Sequence, residues 1–194
     1  MSTIDRRRVG LFFDDPLFEE FATWLTLGLA PYGSASLGEV RATCALIEDG
    51  DDDSWFGAWR DLADRLVRAG DDSAAGGHRV SAREYHLRAC AYNSVAYHPL
   101  FGAPVDPRLR EGFEAQRRAF DKAAALLDVA GEAIEIPFEG ARMPAYLFRA
   151  GAPGERRPLL IATSGYDSTI YEGFFAQAVP ALRRGYHCRV FDVL

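Results

Sequence analysis

Pro158-Leu159-Leu160-Ile161-Ala162-Thr163, followed directly by Ser164-Gly165-Tyr166-Asp167-Ser168-Thr169, decides how this chain is read. The first run is continuously apolar rather than alternating, which predicts a strand buried on both faces. The second is a small-polar turn. After it, Tyr171 to Arg184 repeats its apolar residues at helical spacing, and Gly185 stands where a helix C-cap belongs. Tyr186-His187-Cys188-Arg189-Val190-Phe191-Asp192 then reads as another strand. Strand, helix and strand in this order predict a βαβ unit and hence a parallel sheet.

Upstream, Ala133-Ile134-Glu135-Ile136-Pro137-Phe138 and Met143-Pro144-Ala145-Tyr146-Leu147-Phe148 are two β runs joined by Glu139-Gly140-Ala141, the pattern of a hairpin. Before Gly131 the period is close to 3.6 instead of 2. Asp14-Asp15-Pro16 opens a helix with a carboxylate cap and a proline in the first turn, and Phe18, Phe21, Ala22, Leu25 and Leu29 follow on one face. Ser36 with Glu39 predicts a capping box for a second helix that turns Val40, Cys44 and Ile47 inward. A third helix is expected from Ser54 to about Ala69, with Trp55, Trp59, Leu62 and Leu66 on one side and a loop over 71–77. Ser81 with Glu84 predicts a second capping box and a long helix stopped by Pro99, and Asp106-Pro107 starts one more. The organisation expected is therefore α/β: a helical N-terminal domain over residues 1–130 and the start of a sheet domain over 131–194.

Composition narrows the function classes. The 194 residues carry a net charge of −6, which argues against a nucleic-acid groove or an anionic membrane surface as partner. No apolar run approaches the roughly 20 residues needed to span a bilayer, and Arg6-Arg7-Arg8 is not followed by a signal-type apolar segment. Cys44, Cys90 and Cys188 are odd in number and show no CxxC, so buried free thiols in a reducing, cytoplasmic setting are expected. The acidic run at 49–53 reads as a solvated turn and helix-start charge, because the downstream glutamate of a calcium loop is missing. No cofactor is implied: Gly165 stands alone rather than in a phosphate-binding glycine loop, and no metal-ligand cluster is present.

The chemistry-bearing motif is the loop after the apolar strand. Loops at the carboxyl ends of parallel strands are where open α/β sheets bind ligands. Gly165 permits a tight turn that leaves the Tyr166 amide facing outward, and a fixed N–H dipole there stabilises a developing oxyanion without reorganisation. This motif, the hairpin before it and the Glu172-Gly173-Phe174 helix after it resemble the α/β-hydrolase superfamily. Within it they are similar to the branch with a helical N-terminal domain: FrsA-like esterases, dihydroxypseudooxynicotine hydrolase and the fungal polyketide-shortening hydrolases. That branch typically has Gly-Gly-Leu-Asp-Ser at this place, so the chain departs at Ser164 and Tyr166 and keeps Gly165, Asp167 and Ser168.

The resemblance implies a truncated hydrolase: a helical cap domain followed by the first four strands of the sheet. It implies a serine nucleophile on a Gly-x-Ser-x-Gly turn, with an acid and then a histidine further along, all beyond Leu194. Ser34-Ala35-Ser36-Leu37-Gly38 nearly matches that turn but lies between helices and reads as a cap. The histidines His78, His86, His98 and His187 precede any such nucleophile, so no triad is expected here. The oxyanion-hole backbone is then Gly165 and Tyr166. Asp167 either orients the loop and contacts substrate or caps the helix that follows. Tyr85, Arg88, Tyr92, Asn93, Tyr97 and His98 give the fourth helix a polar-aromatic side. In the resembled branch such a side roofs the substrate pocket; the alternative is a packed face with satisfied hydroxyls. His187 reads as packing and Asp192 as a residue of the site rim.

Two functions follow from different classes. One is the N-terminal portion of a hydrolase of an ester or of a β-diketone-like carbon–carbon bond in a small molecule. The other is a non-catalytic helical binding or assembly module, or an inactive truncated product. The last strand is expected to form an unpaired apolar edge exposing Val190, Phe191, Val193 and Leu194, which leaves aggregation or a homodimer open.

Overall fold

In a computed structural model, residues 10–129 and 131–192 are described; Arg6-Arg7-Arg8, the Ala130 boundary, Val193 and Leu194 lie outside them. The helical region starts with α1 (Pro16–Ala22), whose Asp15 carboxylate accepts from the Leu17 and Phe18 amides at 2.9 Å each. It continues as a π-helical turn over Thr23–Leu27. α2 (Leu37–Cys44), α3 (Asp52–Ala75), α4 (Arg79–Tyr97) and α5 (Pro107–Ala124) follow. Asp51 and Asp106 cap α3 and α5 by accepting from backbone amides of the first turn.

The helix starts and stops differ from the sequence reading in three places, two of them for a nonlocal reason. α3 runs on past Gly70 through 71–75 instead of ending near Ala69, because Gly70 is buried against the His86 ring and Lys122 of α5 holds Asp71 at 2.7 Å. Ser36 occupies the N-cap of α2 without a side-chain cap bond. Its expected partner, Glu39, instead accepts from Arg88 Nε at 2.9 Å and from the Tyr92 hydroxyl at 2.8 Å. Finally, α4 begins at Arg79, so Ser81 already lies inside the helix.

α4 sits at the centre of the molecule. Trp55 and Trp59 of α3 pack on one side of it, and the Trp55 indole N–H donates to the Val95 carbonyl at 2.8 Å. Phe120 of α5 touches the rings of Tyr146, Tyr171 and Phe174. One continuous buried cluster thus runs from the helices into the sheet. Close approach is set by small residues: a Cβ on Gly112 of α5 would lie 2.8 Å from the Tyr97 ring.

β1 (Gly131–Phe138) and β2 (Ala141–Phe148) form the expected hairpin. Its turn residues Glu139 and Gly140 have φ of 45° and 82°, the two positive values a type I′ turn requires. β3 (Leu159–Thr163) leads through α6 (Ile170–Gly173), a π-helical turn (Phe174–Ala178) and α7 (Val179–Arg183) to β4 (His187–Phe191). Gly185, at φ 80°, closes that helix, and the amides of Gly185 and Tyr186 return to the carbonyls of Leu182 and Ala181.

The sheet order is β1-β2-β4-β3, with β2 antiparallel and β3 parallel to β4. This overturns two expectations. The crossover carries β4 past β3 to lie against β2, so β4 is an interior strand with Cys188 and Val190 buried. β3 is the edge strand, and Leu159, Leu160 and Ile161 are 45%, 41% and 53% exposed. Among the described strands β3 thus pairs on one side alone, and its apolar run is left partly uncovered.

Candidate functional site

The loop from Ser164 to Thr169 leaves the carboxyl end of β3 and is fastened from three directions. From β4, the Phe191 carbonyl accepts the Ser164 amide at 3.0 Å. Within the loop, the Gly165 amide donates to Ser168 Oγ at 2.7 Å. From the helical region, His98 Nε2 meets the Asp167 carbonyl at 2.9 Å. Tyr166 lies at the crest, 99% exposed, and its amide donates to no acceptor among the described residues. Gly165 does not adopt the left-handed backbone, and a Cβ there would meet only Ser168 Oγ at 3.6 Å. The turn therefore does not require glycine; glycine keeps this face of the loop bare.

The cap of α6 is neither Asp167 nor Ser168. Thr169 and Glu172 form a reciprocal capping box, with the Thr169 amide donating to Glu172 Oε2 at 2.7 Å. That frees the Asp167 carboxylate, which is exposed. Glu172 also reaches inward. Its Oε1 accepts from the Ser94 hydroxyl of α4 and from Gln116 Nε2 of α5 at 3.4 Å. Gln116 accepts in turn from the Tyr97 hydroxyl at 2.8 Å and donates to Thr169 Oγ1 at 3.4 Å. Burial raises the Glu172 carboxyl above its ordinary range, while His98, Ser94, the Thr169 amide and Gln116 pull it back. This network ties two helices to the foot of the loop.

Ser94, His98 and Glu172 are the residue types of a hydrolytic triad, but their geometry is not that of one. The Ser94 hydroxyl turns its proton to the carboxylate rather than to the imidazole. All three side chains are buried, and His98 Nδ1 lies closer to the Ser94 carbonyl, at 2.8 Å, than to its hydroxyl, at 3.3 Å. A nucleophile needs its proton taken by the base and its oxygen open to substrate. Ser94 has neither.

Asp192 supports the loop from the other side, at the end of β4. Its amide donates to the Pro144 carbonyl at 3.1 Å. The Ser164 hydroxyl and the Ile170 amide face its carboxyl, which burial raises above the ordinary range, and its Oδ1 is buried without a hydrogen-bond partner among the described residues.

Of the helical residues singled out in the sequence, Tyr97 and His98 join the network behind the loop. The other four lie toward α2 and α3. Arg88 and Tyr92 converge on Glu39, and Tyr92 also accepts the Ser36 amide at 2.9 Å. Tyr85 lies under the Arg88 guanidinium at 5.1 Å. Asn93 accepts from Arg60 and donates to the Ala89 carbonyl. Gln116 and Glu172 were not singled out by sequence reasoning. The Thr169-x-x-Glu172 spacing was a legible signal for the second; nothing local marks the first.

Cys44, Cys90 and Cys188 are free and buried, and burial pushes the Cys44 and Cys188 thiols up to about 12 and about 11. Among the described residues no group of His, Cys, Asp and Glu is arranged to hold a metal ion, and no helix is long and apolar enough to cross a membrane.

A sheet in this order, with a helical layer ahead of it and an open amide after its first parallel strand, defines an α/β-hydrolase fold. Known proteins agree. The 20-hydroxy-prefusarin hydrolase FUS2 of Gibberella moniliformis is 36% identical over 180 residues, covering 90% of this chain and 43% of the relative. Hydrolase LUC6 of a Fusarium species is 36% identical over 179 residues, with the same coverage of each. Among solved structures, the crystal structure of 2,6-dihydroxy-pseudo-oxynicotine hydrolase superposes with a TM-score of 0.71 at 26% identity, over 86% of this chain and 45% of that one. No family model matches the chain. Within the α/β-hydrolases the chain resembles the branch with a helical N-terminal domain, the dihydroxypseudooxynicotine hydrolase-like proteins, and spans a little under half the length of the relatives it matches.

Proposed function

We propose that this chain is the N-terminal portion of a serine hydrolase that cleaves an ester or a β-diketone-like carbon–carbon bond in a small molecule. In this reading the Tyr166 amide is an oxyanion donor. A serine hydroxyl, encoded beyond Leu194, adds to the substrate carbonyl while its histidine takes the proton. The carbonyl electron pair moves onto oxygen and is met by the Tyr166 N–H. Collapse expels the alkoxide or enolate, which takes that proton from the histidine; water then gives a proton to the histidine as it adds to the acyl group, and the acid leaves as the serine takes the proton back. One such donor is worth about 3–4 kcal/mol of transition-state stabilisation. The observation that carries the reading is the undonated Tyr166 amide at the carboxyl end of a parallel strand, on a loop fastened from both sides.

Asp167, with its carboxylate free beside that amide, is the substrate contact nearest the loop in this proposal. Tyr97 acts through Gln116, and Tyr85, Arg88, Tyr92 and Asn93 shape the helical cap behind it. A cytoplasmic location fits the free cysteines.

The test is turnover of aryl esters and of a β-diketone by the protein expressed from its full reading frame. Tyr166→Pro removes the N–H and is expected to lower kcat by roughly 100-fold or more with KM little changed, whereas Tyr166→Ala retains it and stays near wild type. Equal activity in both variants, or a reading frame without a Gly-x-Ser-x-Gly turn, counts against the proposal. The second reading is a non-catalytic helical binding or assembly module, with a homodimer as one form of it. Absent turnover together with concentration-dependent pairing selects it.

A further inference from the structure

We propose that His98 is a positioning residue that holds the Gly165–Asp167 loop in place, and that it does so with a proton on both ring nitrogens. The hydrogen-bond pattern is the first observation. Nδ1 faces the Ser94 carbonyl at 2.8 Å and Nε2 faces the Asp167 carbonyl at 2.9 Å. Carbonyl oxygens only accept, and a neutral imidazole has a single N–H, so one of its lone pairs would point at a carbonyl. The Ser94 hydroxyl does not relieve this, because its proton is turned to Glu172. Only the doubly protonated ring satisfies both contacts.

The surroundings of the ring are the second observation, and it is independent of the first. Phe21, Tyr97 and Phe101 enclose the imidazole at centroid distances of 5.0, 5.3 and 5.6 Å. Aromatic faces and a nearby anion are what a desolvated cation needs. The anion is Glu172, one hydroxyl away through Ser94. The titratable groups turned toward the ring are Glu172 from α6 and Tyr97 from α4, while Asp167 meets it with its carbonyl and keeps its carboxylate in solvent. His98 therefore couples a charge buried under the helical layer to the backbone of the loop that carries the Tyr166 amide. Its consequence for catalysis rests on the hydrolase reading above; the clamp itself does not.

The clamp is tested on the full chain without any substrate. In protein labelled with nitrogen-15 histidine, the rings of His78, His86, His98 and His187 are resolved by two-bond proton–nitrogen correlation, and His98 is assigned by its loss in His98→Gln. Two protonated nitrogens on the His98 ring near neutral pH support the proposal; a single neutral tautomer overturns it. A pair of variants then separates the contacts. A glutamine amide reaches the place of Nε2 and an asparagine amide only that of Nδ1. His98→Asn is expected to speed hydrogen exchange at the Gly165 and Thr169 amides by roughly 10- to 100-fold, the loss of one charge-assisted bond, with His98→Gln staying close to wild type. Equal exchange in the two variants, fast or slow, overturns the Nε2 clamp. Should both variants unfold, the ring measurement on the unaltered protein still decides the proton count. In the full-length enzyme, His98→Asn is expected to lower kcat more than it changes KM, with recovery in His98→Gln. Loss of loop order in a protein that turns over no ester would leave the clamp standing and defeat the hydrolase reading instead.

Discussion

Along α4 the polar side chains fall into two groups. Arg88, Tyr92 and Asn93 turn to the helical side and find Glu39, the Ser36 amide and Arg60. Ser94, Tyr97 and His98, less than one turn further on, face the loop after β3 and find Glu172, Gln116 and the Asp167 carbonyl. In the first group Tyr92 and Asn93 are buried, but the Arg88–Glu39 pair keeps some water, its side chains 18% and 23% exposed. The second is sealed, with Glu172 at 5%. Water can replace a lost partner at the Arg88–Glu39 pair, and cannot in the second group. The same helix is thus pinned loosely where it only packs and rigidly where it positions a loop.

The largest test of that contrast is removal of each group's carboxylate. Glu172→Ala strands the Ser94, Gln116 and Thr169 donors together with the charge of the network, and is expected to cost about 3–5 kcal/mol in urea unfolding. Glu39→Ala leaves partly hydrated partners and should cost about 1–2 kcal/mol. Equal losses would break the comparison. The second test uses glycine contacts. Gly112→Ala drives a methyl to 2.8 Å from the Tyr97 ring and 3.0 Å from its Cβ, for an expected loss of about 1–3 kcal/mol. In α3, a Cβ on Gly57 meets nothing within 4 Å, so Gly57→Ala should raise stability by about 0.5–1 kcal/mol through helix propensity alone. Next, Tyr92→Phe should lose about 1 kcal/mol while leaving exchange of the loop amides unaltered, because its hydroxyl serves only the helical side.

The pH dependence sharpens the same contrast with a smaller effect. Burial raises the carboxyl of Asp192 from its ordinary value of 3.8. The native state then keeps this proton after the unfolded chain has lost it. The contribution of Asp192 to stability is therefore most favourable below the unfolded value and declines as pH rises toward the raised one. Asp192→Asn removes this decline, so the stability of the variant relative to wild type should improve as pH rises above the ordinary value of 3.8 and level off once the native carboxyl has ionised. A difference that is flat with pH refutes this. Smallest in folding energy is the edge. Ile161→Lys, on the exposed strand β3, should leave urea stability within about 0.5 kcal/mol yet reduce concentration-dependent association in sedimentation, as a charge on an unpaired edge does.

Much of the fold was legible in the sequence, and the misses share one cause. The Asp15 and Asp106 caps, the Glu139-Gly140 turn and the Gly185 closure all lie where local chemistry puts them. Ser36 and Ser81 carry the same capping-box spacing as Thr169, yet only Thr169 makes the bonds. Glu39 went to Arg88 and Tyr92, residues about 50 positions away that no local pattern could weigh against the cap. At the candidate site the loop was readable from its place after an apolar strand. Its fastenings were not, because Ser94, His98, Gln116 and Glu172 come together from α4, α5 and α6.

The sequence by itself determined the element types, most of their ends, the change from helix period to strand period near Gly131, and the loop that resembles a hydrolase oxyanion loop. Those depend on residues within a few positions of one another, where backbone sterics and hydrogen bonding act directly. Only the tertiary structure decided that β4 inserts between β2 and β3, and that one face of α4 reaches the loop while the other does not. Strand order and buried polar partners are chosen by which arrangement leaves the fewest apolar surfaces and hydrogen-bonding groups uncompensated. That choice is made over the whole chain at once.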